Sequence, residues 1–89
     1  LNMTTEKQIG SVSNYFDHVK VAAIKLTSPL KVGDVIKFVG GEVDYDMPIE
    51  SIQINNENVN AAKKGNEIGI KVKEKVRKDY KVYKVTSSE

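Results

Sequence analysis

Glu67-Ile68-Gly69-Ile70-Lys71-Val72-Lys73 alternates apolar and polar residues without a break. Ile68, Ile70 and Val72 fall on one face, and Val76 keeps their phase after Glu74. Lys71, Lys73, Lys75 and Arg77 fall on the other. A period of two is that of a half-buried strand, whereas helical spacing would mix the two sets. Ser51-Ile52-Gln53-Ile54 alternates likewise. Val19, Val21 and Ala23 alternate, then Ile24 and Leu26 continue in the other phase, which predicts a bulge near Ala22-Ala23. Val35 to Val39, Lys81 to Val85 and the less regular Ile9 to Asn14 complete a set of six short strands.

Turn residues separate these runs. Thr27-Ser28-Pro29 ends one strand, because proline cannot donate to a ladder. Lys31-Val32-Gly33-Asp34 reads as a tight turn with Gly33 free to take positive φ. Gly40-Gly41, Lys63-Lys64-Gly65-Asn66 and Arg77-Lys78-Asp79 mark three more. Asn55 to Lys64 is the one stretch that reads as a helical turn. The expected fold is all-β: a single small closed β-barrel of about six mainly antiparallel strands. Closure is favoured because six strands in an open sheet leave two edges. The barrel is expected to span residues 8–85. Residues 1–7 are expected as a disordered or cloning-derived tail, since Leu1 and Asn2 precede Met3, and residues 86–89 as a loose tail.

The 89 residues suffice for one domain, which at this size buries roughly 60–65 % of its unfolded surface. Hydrophobic residues make up 39 % and charged residues 29 %, the balance of a globular chain rather than a disordered one. There is no cysteine, so disulfides, thiolate metal sites and cysteine nucleophiles are excluded together. That usage fits a cytoplasmic protein. The longest apolar run, Val21-Ala22-Ala23-Ile24, is far short of the ~20 residues of a membrane helix, and no cleavable leader is expected.

Charge is unevenly placed. Residues 1–62 hold five lysines and eight acids, a net of −3; residues 63–89 hold nine Lys/Arg and four acids, a net of +5. Phe38 to Ala62 carries five acids and no base. The stripe Lys71, Lys73, Lys75 and Arg77 extends about 20 Å if the strand stays extended, with Lys63 and Lys64 on the neighbouring turn. Such a stripe suits a phosphate backbone; the plainer reading is a solvated face. Tyr15, Phe16, Tyr80 and Tyr83 offer faces for stacking bases, but Phe16 and Tyr83 are expected to fill the barrel.

Nothing points to catalysis. His18 is the only histidine, beside Asp17 and Tyr15, and reads as a surface loop residue. Glu42, Asp44 and Asp46 share one face of an extended segment, but lack the glycine and distal glutamate of a calcium loop, so a solvated acidic turn is expected. No phosphate loop, dinucleotide fingerprint or nucleophile elbow is present. No enzyme activity, metal, cofactor or nucleotide is expected.

The order of signals resembles a known family. Ile9-Gly10-Ser11-Val12, Val21 to Leu26, Leu30-Lys31-Val32-Gly33-Asp34-Val35-Ile36, Ile49-Glu50-Ser51-Ile52-Gln53-Ile54 and Ala62 to Ile70 follow one another as in the second domain of translational GTPases such as elongation factor Tu. The likeness covers about residues 8 to 85 and resembles small standalone elongation-factor-like proteins. It implies a barrel that engages ribosomal RNA or tRNA; no contact residue carries over from the family, and the residues offered for phosphate contact are those of the basic stripe and its neighbouring turn, Lys63, Lys64, Lys71, Lys73, Lys75 and Arg77. GTP hydrolysis is not implied, because the nucleotide-binding domain is missing. The small barrel appended to collagenase-like peptidases is similar too. It implies the alternative: a module that docks a protein partner through the acidic segment Glu42 to Glu57 or through an unpaired strand edge.

Overall fold

The computed structural model describes residues 3–88. Every regular element among them is a strand: β1 (Met3–Phe16), β2 (Val21–Leu26), β3 (Leu30–Lys31), β4 (Val35–Gly40), β5 (Val43–Pro48), β6 (Ile52–Ile54), β7 (Glu57–Val59), β8 (Ala61–Ala62), β9 (Glu67–Lys71) and β10 (Lys81–Ser88). Eight form one sheet in the order β5-β4-β10-β1-β2-β9-β6-β7, and β3 pairs with β8 separately. All the ladders are antiparallel.

Alternation does what the sequence predicts. Ala22, Ile24 and Leu26 of β2, Ile36 and Phe38 of β4, Ile68 and Ile70 of β9, and Val82 of β10 are all buried in one core. Met47 of β5 and Ile52 of β6 reach that same core from strands near the two ends of the sheet, so the sheet wraps around it. Burying these aliphatics removes apolar surface from water at ~25 cal/mol per Å², the main stabilising term for a chain without disulfides.

The expectation of a six-stranded closed barrel is corrected. Eight strands share the sheet, and its end strands β5 and β7 do not pair with each other. Pro48, which has no N–H to extend a ladder, ends β5. The chain beyond it bonds elsewhere: Ile49 N–H donates to the Asp34 carbonyl (2.9 Å) and Gly33 N–H to the Ile49 carbonyl (3.0 Å).

Four further expectations change. The predicted bulge lies on the partner strand: β2 keeps one phase throughout, and the register slips between Val12 and Asn14 of β1. Val21 and Ala23 therefore face outward. The expected helical turn is a hairpin, with Asn55 and Asn56 both at positive φ between β6 and β7. The acidic turn keeps only Glu42: Asp44 and Asp46 stand on strand β5, exposed on one face as expected, while Val43, Tyr45 and Met47 between them face inward. The two tails are largely strand. Thr4 to Gln8 pair with Ser87 to Tyr83, each segment satisfying the other's backbone groups, and Glu6 accepts a bond from Lys37 (3.1 Å). Leu1, Asn2 and Glu89, parts of those tails, lie outside the described residues.

Candidate functional site

The six basic residues of the expected stripe are all exposed, but the fold does not bring them into one line. β9 ends at Lys71, and the chain bends at Lys73-Glu74. The Tyr45 hydroxyl donates to the Glu74 carbonyl (3.0 Å), and Val76 drops into the core with no exposed surface. Lys73, Lys75 and Arg77 therefore ride on a loop, not on a strand face. Lys63 and Lys64 sit at the opposite end of β9 from Lys71, in a turn held by the Asn66 side chain on the Lys63 N–H (2.8 Å). Alternation had kept its phase through a turn, which made a broken path look like one strand.

The acidic segment is split as well. Asp44 meets Lys37 (3.3 Å), which also holds Glu6; Glu50 lies in the link between β5 and β6, and Glu57 on β7. Glu6 and Asp44 hold the Lys37 ammonium above its ordinary pKa, with the Glu6 hydrogen bond the larger cause. Among the described residues no group of three His, Asp or Glu could hold a metal ion. His18 stands in the exposed turn between β1 and β2 and makes no hydrogen bond among the described residues.

A different surface stands out: the outer face of β1-β2-β9-β6. The register aligns Asn14, Ala23, Gly69 and Gln53 in one row across four strands. Its centre is one methyl group and one hydrogen. The next row, Phe16, Val21 and Lys71, stands taller. On the other side rises Glu67, whose carboxylate accepts a bond from Ser13 (2.6 Å). The low row is thus the floor of a furrow about 14 Å long, three inter-strand steps. It holds a cavity of about 500 Å³, walled by Phe16, Val19 and Val21 and rimmed by His18, Asn55 and Glu67. A second cavity, about 240 Å³, continues it past Gly69 toward Ser51 and Lys71.

Phe16 is 43 % exposed and Val19 47 %, two of the three large apolar side chains left in water among the described residues. Phe16 was expected in the core. It pairs with Val21, in the outward phase, while Tyr15 takes the inward one and packs against the core. Tyr83 was expected there too, but Val82 is the core residue of that pair and Tyr83 stands opposite Lys37. No sequence signal marks the furrow directly. Gly69 within a strand was the one visible hint, because glycine in a strand leaves a space where a side chain would stand.

No family model matches this chain. Its sequence is 39 % identical over 77 residues to an uncharacterized protease of Methanocaldococcus jannaschii. That match takes in 85 % of this chain but 19 % of the protease, so the chain spans about a fifth of that relative's length. Its fold is similar to the C-terminal domain of a putative U32 peptidase of Geobacillus thermoleovorans, with a TM-score of 0.82, 22 % identity, and coverage of 88 % of this chain and 91 % of that one. The selenomethionine variant of that domain matches at a TM-score of 0.81 and 22 % identity, over 85 % of this chain and 96 % of that one. These findings overturn the translation-factor resemblance and, with it, the ribosome and RNA reading. The residues that carried the resemblance are turn glycines and alternating aliphatics, which specify a strand arrangement and not a partner. The chain is an all-β domain with the fold of a putative peptidase's C-terminal domain and the sequence likeness of a segment of an archaeal protease.

Proposed function

We propose that this chain is a non-catalytic accessory domain of a peptidase, and that it docks the catalytic body through the furrowed face. The observation that carries the reading is the lopsided match: nearly all of this chain aligns with a protease of which about four-fifths lies outside the aligned segment. The chemistry of the side chains agrees. There is no cysteine, and among the described residues neither a carboxylate nor a hydroxyl bonds the ring of the one histidine. The surface offers instead an apolar furrow with a polar rim, the anatomy of a protein contact.

The test is calorimetry of the chain against the Methanocaldococcus jannaschii protease lacking its matched 77 residues. Association is expected in the range of about 1–100 μM, as suits inter-domain contacts of roughly 600–1,500 Å². Absence of binding at ~100 μM of each overturns the reading. In parallel, the chain alone is expected to leave labelled casein intact; cleavage would contradict its non-catalytic role.

A further inference from the structure

The furrow runs out at a gap in the sheet. β9 turns the backbone groups of its even-numbered residues toward β2. Val72 N–H bonds to the Lys20 carbonyl and Leu26 N–H to the Asn66 carbonyl, both at 2.9 Å, and the register between these bonds is unbroken. Glu67, Gly69 and Lys71 therefore turn their N–H and C=O groups the other way, toward β6. Gly69 meets Gln53 there, the single rung between β9 and β6. The next rung places Lys71 opposite Ser51, and no backbone bond joins them. A cavity of about 280 Å³ opens between them instead, lined by Pro48, Glu50, Ser51, Lys71 and Lys73.

An extended backbone with free N–H and C=O groups is a template for another strand. The charge at this spot selects which. Lys71 and Lys73 are exposed, and the ion pairs among the described residues involve only Lys37 and Lys84. Glu50 is the one carboxylate on the cavity wall, so the gap is net positive. At its mouth, the furrow over Ala23 and Gly69 leads toward Phe16.

We propose that an extended acidic segment of a protein partner adds to the sheet at Lys71. It pairs with the Lys71 backbone, sets an aliphatic side chain over Ala23 and Gly69, and brings carboxylates to Lys71 and Lys73. This deepens the docking reading above and rests on it.

The probe is a blocked seven-residue peptide of alternating valine and threonine with glutamate at both ends, and its counterpart ending in lysine. The readout is amide exchange in the isotope-labelled chain. In the free chain the Lys71 amide exchanges at least about tenfold faster than that of Ile70, which faces Ala22 in the ladder. Saturating glutamate peptide slows Lys71 by at least about tenfold. The lysine peptide binds at least about threefold more weakly, the scale expected of exposed ion pairs. Gly69→Val blocks the furrow and abolishes binding. A Cβ there makes ordinary contact with Val21 Cγ1 at 3.4 Å and the Gln53 carbonyl oxygen at 4.0 Å, so the backbone accepts a side chain, and amide spectra of the variant matching those of the parent outside the furrow check that it folds. A Lys71 amide already as slow as Ile70, no slowing by peptide, or equal binding of the two peptides overturns the proposal. Association with the peptidase body that survives both Gly69→Val and Lys71→Glu overturns this placement and leaves the accessory role standing. Peptide pairing at Lys71 without association to the body does the reverse.

Discussion

Two glycines show how much a missing side chain decides. Gly69 leaves open space on an outer face, and that space is the furrow floor. Gly40 does the opposite, letting another residue in. A Cβ at Gly40 would lie 2.3 to 2.7 Å from ring atoms of Tyr80, so the tyrosine lies flat on the glycine. Tyr80 in turn is tied into the core edge by its carbonyl, which accepts from Val12 N–H (2.8 Å). Gly40→Ala is expected to destabilise by about 1–3 kcal/mol through overpacking. In a Tyr80→Ala background the same substitution should cost less than half as much, a coupling that denaturant melts of the four-member cycle measure. Equal costs in the two backgrounds would show that the contact is unimportant. Neither role was legible in sequence: Gly40 read as a turn residue, and Gly69 as one more outward position in an unbroken alternation.

Among the elements, legibility followed water. β2, β4 and β9 each have a wet face and a dry one, and their alternation gave them away. The outer half of β1 carries no apolar alternation from Thr4 to Gln8, and its pairing with β10 across the two ends of the chain is invisible to any local pattern. β5 did alternate, as Val43, Tyr45 and Met47, but its acids and Pro48 are types depleted in strands. β5 is also an edge, and the fold covers it. Tyr45 packs on Phe38, ring centroids 5.5 Å apart, and its hydroxyl clasps the Glu74 loop. Burial raises the Tyr45 pKa above the ordinary 10.0, against the lowering effect of that hydrogen bond, and the Glu6 and Asp44 contacts raise Lys37 above 10.5. Both groups hold their protons more tightly folded than unfolded. Their contribution is therefore complete below about pH 10 and is lost as pH climbs through the raised values. The thermal midpoint should fall above about pH 10, and the combined Tyr45→Phe and Lys37→Met variant should fall less steeply over the same range. Tyr45→Phe alone should cost about 1 kcal/mol at neutral pH, the worth of one hydrogen bond. An unchanged alkaline slope in the double variant would assign the titration to other groups.

At the scale of the molecule, the chain is a sheet wrapped on one core with its special surface on the outside. Fold class was legible because one core needs one consistent pattern, whereas the furrow needs the register of four strands at once. Ala23, Gly69 and Gln53 lie far apart in sequence and become neighbours only through pairing. The basic stripe misled for the same reason, since residues in one phase share a face only while the strand continues. In the function proposed above, this face docks a peptidase body. Its most direct test is the amide and methyl spectrum of the labelled chain, recorded with and without the archaeal protease lacking its matched segment. Docking predicts shifts concentrated at Phe16, Val19, Val21, Ala23, Gly69 and Lys71, and their loss in Gly69→Val. Shifts confined to β4, β5 and β10, or no shifts at all, would contradict it.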